Sequence, residues 1–297
     1  MNRGPGRAGR DGQVAVVDLG GTWVRVAVAG TSARAFKGPT PGVAGLPELL
    51  DRLWRRWRLS RRDLSALGVA SRGIWTRNER QALTGRLRRF APRVIVISDV
   101  EAAYLAALGP SPGVLLLAGT GSIALGRDVR GRWTREGGLG PLLGDDGSAF
   151  SIGRAWLRAG SMQPARTRRI ATAPDAVARI AALAPSVLRR ACRGDKDARR
   201  IMGVAGQELA DLVQKTAGRI RSRGRIRVSW AGALLNNQGF RSRIWRELRR
   251  RGIEVELVLP RATAAAPAAW AHSLRPIRTH HPPRAKSTRP ERQTPFS

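Results

Sequence analysis

A chain of 297 residues with 54 Lys+Arg against 21 Asp+Glu has a formal charge of +33, and 42% of it is hydrophobic. Such a chain fills one large domain or two smaller ones around a sizeable core, so a wholly disordered protein is excluded. It contains no run of about 18 apolar residues, so no membrane association is expected.

The single cysteine, Cys192, excludes an intrachain disulfide and a Cys-x-x-Cys pair. The three histidines, His272, His280 and His281, stand near the C-terminus, which argues against a Ser-His-Asp triad or a histidine-rich metal site. The basic segment Met1 to Gly12 leads only into Val14-Ala15-Val16-Val17, too short for a signal-peptide core, so a cytoplasmic protein is expected. Of the 54 basic residues four are lysines and 50 arginines, spread along the body of the chain. That bias reads as genome composition rather than a selected nucleic-acid surface. Nonspecific polyanion binding at low salt follows from it.

In chain order, β-branched runs predict strands at 13–18 and 24–29, joined by the turn Asp18-Leu19-Gly20-Gly21-Thr22. Leu46, Leu49, Leu50, Leu53, Trp54 and Trp57 then mark one face of a helix, with Arg52, Arg55, Arg56 and Arg58 on the other. Strands follow at 67–70 and 94–98, the second ending at Asp99 before a helix from Glu101 to Leu108. A second hairpin covers 113–118 and 122–126, with Ala118-Gly119-Thr120-Gly121-Ser122 as its turn. Five glycines and the pair Asp145-Asp146 punctuate residues 137–148, ahead of a helix from Ala149 to Arg158. Pro141-Leu142-Leu143 is too apolar for a linker and predicts a packed, ordered loop. Leu209, Leu212, Val213, Thr216 and Ile220 mark another long helix, before strands at 226–230 and 253–259. Residues 274–297 hold five prolines and no periodic pattern, which predicts a disordered basic tail. Alternating helices and strands indicate an α/β protein.

The strand–turn–strand unit of 13–29 recurs at 113–126, implying two similar lobes with a cleft between them. Each turn reads either as an ordinary hairpin turn or as a phosphate cradle, since glycine lets backbone N–H groups converge on an anion. Thr22, Thr120 and Ser122 would add hydroxyl donors. Asp18 reads as a turn cap or as a carboxylate holding Mg²⁺ through water. Asp99 reads as the N-cap of its helix, as a base for an acceptor hydroxyl, or as both. Asp145 and Asp146, beside a helix N-terminus, suit hydroxyl or metal binding. Ser229-Trp230-Ala231-Gly232-Ala233 offers a small-residue surface for a flat base. A P-loop and a dinucleotide fingerprint are both absent.

The order DLGGT (18–22), ISDVEAA (97–103), AGTGS (118–122), GGLGPLLGDDGSAFSIGRAWLRA (137–159) and WAGALLNN (230–237) resembles the N-acetylglucosamine kinase group. That group belongs with the BadF/BadG/BcrA/BcrD ATPases of the actin-like, sugar kinase and Hsp70 superfamily. The resemblance covers roughly 13–270 and implies two ribonuclease-H-like lobes, 13–110 and 111–273, closing on ATP and an amino sugar. It implies Mg²⁺ near Asp18, phosphate contacts from Gly20, Gly21, Thr22, Gly119 and Thr120, and Asp99 as catalytic base. It implies sugar contacts from Gly121, Ser122, Gly138 and Asp145, with Thr40 where the family often has Asn, and adenosine contacts from Gly232 and Ala233. A homodimer is also expected. Leu139 departs from a common Trp and Ala231-Gly232 from a Gly-Gly, which leaves the sugar open. A partner-driving ATPase and a non-catalytic binding protein are the alternatives. Cys192 alone cannot supply an iron–sulfur cluster, which counts against the electron-transfer branch.

Overall fold

The computed structural model describes residues 13–29, 33–221 and 224–260. Two five-stranded sheets are built to one plan. The first contains β1 (Gln13–Leu19), β2 (Trp23–Val28), β3 (Ala35–Pro39), β4 (Leu64–Ser71) and β5 (Val94–Ser98), in the order β3-β2-β1-β4-β5. The first three strands form an antiparallel meander, and β4 and β5 add in parallel to β1. The second contains β6 (Gly113–Ala118), β7 (Ser122–Arg127), β8 (Trp133–Gly137), β9 (Ile226–Ala231) and β10 (Val255–Leu257), in the order β10-β9-β6-β7-β8. Its antiparallel and parallel pairings repeat those of the first sheet.

Side chains alternate across each sheet, as the period of two requires. On β1, Ala15, Val17 and Leu19 face a core formed with α1 (Gly42–Trp57) and α2 (Arg77–Leu87), including Leu46, Leu50, Trp54 and Leu83. Val14 and Val16 face the opposite side, against Ala102 and Leu105 of α3 (Asp99–Leu108). The same helix also sends Val100, Ala103, Tyr104 and Leu108 to Leu115, Ile123 and Leu125 of the second sheet. One helix thus serves both sheets. The outer face of the second sheet is covered by α8 (Lys196–Ile220) and by α9 (Gln238–Arg250), which carries Phe240 and Ile244. Shorter helices follow β8: α4 (Ala149–Arg158), α5 (Pro164–Ala171), α6 (Ala176–Ala181) and α7 (Ala184–Cys192).

The eight expected strands are all present, the last reduced from 253–259 to Val255–Leu257. β3 and β8 were not anticipated. Ala-Phe-Lys-Gly-Pro and Trp-Thr-Arg-Glu-Gly lack the β-branched pattern because each is an edge strand with little to bury. Pro141-Leu142-Leu143 corrects another expectation: Leu142 is 92% and Leu143 81% exposed. The loop takes its shape from turns, with the Gly144 amide donating to the Gly140 carbonyl at 2.9 Å, and not from packing. The expected tail at 274–297 and the segment 1–12 lie outside the described residues. Among the described residues no helix is long and apolar enough to cross a membrane.

Candidate functional site

The two hairpin turns occupy corresponding places in the two sheets. In the first, the Gly20 amide donates to the Trp23 carbonyl at 3.0 Å, and the Thr22 carbonyl accepts from the Thr40 amide at 3.0 Å. Thr40 therefore sits beside the first turn; its hydroxyl accepts from the Gly42 amide at 3.3 Å. In the second, the Gly119 amide donates to the Gly121 carbonyl at 2.9 Å. The first amides of α4, Ala149 and Phe150, donate to the Gly119 and Thr120 carbonyls at 2.9 and 3.2 Å. The second turn is thus docked on the start of a helix.

Asp18 stands near the end of β1 opposite Arg25 of β2, whose Nη1 donates to its Oδ2 at 2.8 Å. Burial raises the Asp18 carboxyl above its usual range; Arg25 opposes this and nearby Asp99 reinforces it. The two carboxylates therefore share one region.

Asp99 is not the helix cap. That role belongs to Ser98, whose hydroxyl accepts from the Glu101 amide at 3.1 Å while Glu101 Oε2 accepts from the Ser98 amide at 2.8 Å. The capping box frees Asp99 of this duty. Its Oδ1 accepts from the adjacent Val100 amide at 2.9 Å. Burial raises the Asp99 carboxyl, against the pull of the Val100 amide and the charge of Arg72.

Asp145 is buried and has left-handed backbone, φ 61°. Its Oδ1 accepts from the Ser122 amide at 3.2 Å, and the Ser122 hydroxyl donates to the Asp146 carbonyl at 2.6 Å. The acidic loop is thereby tied to the second turn. A Cβ on Gly121 would come within 2.8 Å of the Asp145 carboxylate, so glycine is what lets the two approach. The Asp145 carboxyl is raised by burial, lowered by the Ser122 amide, raised by Asp146 and lowered by Arg72. Gly138 joins this corner, its amide donating to the Ser122 carbonyl at 2.9 Å.

Gly232 lies so close to β6 that a Cβ there would meet the Ala118 carbonyl oxygen at 2.3 Å. Behind it, Ala233, Gly119, Thr120 and Ala149 line a cavity of about 370 Å³. Its opposite wall includes Ala182 and Leu188. Trp230 and Ser229 are buried, so of the expected 229–233 surface only Ala233 faces this space. The apolar wall from α6 and α7 was not anticipated; the alanine-rich run 176–184 was its only trace in the sequence. Arg72 was missed as well. It follows β4 directly and lies against Gly21.

A group of three or more His, Cys, Asp or Glu side chains placed to hold a metal does not occur among the described residues. A donor set of one or two carboxylates still fits Mg²⁺, which keeps several waters and takes its other ligands from phosphate oxygens. Asp18 offers such a carboxylate, with its described bond to Arg25 made through Oδ2.

Two sheets of this shared order, with a glycine turn on the first hairpin of each, define a two-lobed α/β fold. The profile of the BadF/BadG/BcrA/BcrD ATPase family matches residues 11–270, and the chain belongs to that family. A Clostridium acetobutylicum relative, N-acetylmuramic acid/N-acetylglucosamine kinase, is 30% identical over 99 residues, which are 33% of this chain and 32% of that protein. The match thus spans about a third of the relative's length. Among solved structures, a Chromobacterium violaceum protein provisionally named an N-acetylglucosamine kinase superposes with a TM-score of 0.63 at 23% identity, covering 88% of this chain and 99% of the other. A ROK-family glucokinase of Streptomyces griseus, bound to glucose and AMPPNP, gives 0.53 at 16% identity, covering 89% and 99%.

Proposed function

We propose that the protein transfers the terminal phosphoryl group of ATP to a hydroxyl of an amino sugar of the N-acetylglucosamine or glucosamine type. The observation that carries this reading is the half-buried Asp99 carboxylate, free of the helix cap that Ser98 supplies and in electrostatic reach of Asp18 by the first turn and of Arg72. The names of the family's kinase relatives support the substrate class.

Gly20, Gly21 and Thr22 on one lobe, and Gly119 and Thr120 on the other, hold the phosphates through backbone N–H and hydroxyl donors. The adenosine lies against Ala233 in the apolar cavity walled by α6 and α7, with Gly232 behind it closing the chain onto β6. Asp18 would hold Mg²⁺ through water, and the bound ion would supply positive charge beside the phosphates. The sugar lies against Thr40, Gly121, Ser122, Gly138 and Asp145, the last accepting from a sugar hydroxyl. Asp99 orients the acceptor hydroxyl and takes its proton as the oxygen attacks phosphorus. Residues 13–110 and 111–273 act as the two lobes, and their closure excludes water as a competing acceptor.

ADP release from Mg-ATP, followed over a panel of sugars and with none, tests the reading. Release dependent on N-acetylglucosamine, glucosamine or a close relative is expected. Release indifferent to sugar would instead mark a partner-driving ATPase; ATPase is the word the family's name carries.

A further inference from the structure

We infer that Arg72 is a further catalytic residue, whose guanidinium holds the oxygens of the transferring phosphoryl group over the first glycine turn. This rests on the kinase reading above.

The backbone fixes where this side chain starts. The Arg72 amide donates to the Leu19 carbonyl at 3.1 Å, which carries the β1–β4 pairing one residue past Ser71. The side chain then crosses the turn. Its Nη1, Cδ and Cζ lie 2.9, 3.7 and 3.9 Å from the point a Gly21 Cβ would occupy. Gly21 thus has two uses: it bares the turn's backbone and leaves room for the guanidinium.

The surroundings say what the guanidinium is for. Its charge acts both on Asp99, which follows the first sheet, and on Asp145 of the acidic loop tied to the second. Neighbouring arginines are committed: Arg25 binds Asp18 at 2.8 Å and Arg80 binds Glu101 at 3.0 Å. Among the described residues the Arg72 guanidinium has no hydrogen-bond or ion-pair partner, and the residue is exposed. A fork of five donors held over a phosphate-type turn, flanked by carboxylates yet bonded to neither, matches a multiply charged oxyanion.

In the transfer, the acceptor oxygen forms a bond to the γ-phosphorus while its proton passes to the Asp99 carboxylate. The bond from that phosphorus to the β–γ bridging oxygen breaks, and its electron pair leaves with ADP. Arg72 gives and takes no proton. Its guanidinium offsets the charge on the three equatorial oxygens.

The full-length protein is compared with Arg72→Ala and Arg72→Lys, after thermal melting shows each exposed-site variant to be folded. Mg²⁺-dependent affinities for ADP and AMPPNP are measured without acceptor, then kcat and KM with sugar. We expect Arg72→Ala to lower the AMPPNP-to-ADP affinity ratio at least tenfold, with ADP binding unchanged. It should lower kcat by about 10³-fold, with acceptor KM within threefold. Arg72→Lys should recover only a small part, because an ammonium does not reproduce the fork. An unchanged affinity ratio, or a defect confined to acceptor KM, overturns the assignment; the second result makes Arg72 a sugar contact. Because the ratio is read without acceptor, a wild type that phosphorylates no sugar sinks the kinase reading and leaves this test intact.

Discussion

The Asp145 carboxylate accepts a hydrogen bond from the Ser122 amide at 3.2 Å, joining residues 23 apart in sequence. It does so across Gly121, where any Cβ would fall within 2.9 Å of all three carboxylate atoms. Gly121→Ala is therefore expected to push Asp145 aside while leaving the core untouched. A displacement of about 1 Å in such a site costs roughly 10²-fold. The loss should appear in kcat/KM for the sugar, with nucleotide affinity and melting temperature close to wild type. Sugar kinetics within twofold of wild type would remove Asp145 from the acceptor site.

Replacing Asp99 separates chemistry from stability. Asp99→Asn should lower kcat by about 10²–10⁴-fold, the usual contribution of a positioned base, while isothermal titration still registers nucleotide. Burial holds the folded carboxyl above its unfolded value. The wild type thus bears a folding penalty at pH above the folded pKa, relieved as pH falls toward the unfolded value. Asp99→Asn should accordingly raise the melting temperature at pH 7, with a smaller gain at pH 4. Equal gains at both pH values would show that ionisation is not the cause.

The same raised carboxyl sets a pH profile. Asp99 must be ionised to accept a proton, so kcat/KM should fall as acid is added. The midpoint should lie above the ordinary aspartate value of about 3.9. A pH–rate series from 4 to 9 locates it. A midpoint at or below the ordinary value would mean that the titrating group is not a buried carboxylate.

Filling the alanine-walled cavity should exclude the base. Ala182 is exposed on that wall, and Ala182→Trp places a large ring in a space of about 370 Å³. ATP affinity should drop at least tenfold with little change in stability. Unaltered ATP binding would put the adenine elsewhere.

Packing gives a contrasting prediction. A Cβ on Gly153 would stand 1.9 Å from the Ile180 carbonyl oxygen, where α4 meets α6. Overpacking of this kind costs about 1–3 kcal/mol. Gly153→Ala should lower the urea midpoint with an unchanged slope.

The turns and central strands could be read from the sequence because their signals are local: β-branched runs, glycines at reversals, a carboxylate at a strand end. The edge strands escaped because edges bury little. Leu142 and Leu143 misled, since apolar character normally signals packing and here both are exposed. Of the two readings of Asp99, the cap falls to Ser98, because a cap shifted by one residue leaves the same pattern. Arg72 was invisible among 50 arginines. What distinguishes it is proximity to Gly21, a contact across 51 positions that spacing does not encode.

The helix shared by both sheets has a mechanical consequence. Asp99 opens α3, and further along the same helix Tyr104 and Leu108 pack against the second sheet. Asp99 is thus tethered to both sheets through a single helix. Under the proposed reading, a proton acceptor mounted there would keep its aim whichever sheet moved, because neither sheet could shift without carrying the helix that holds it.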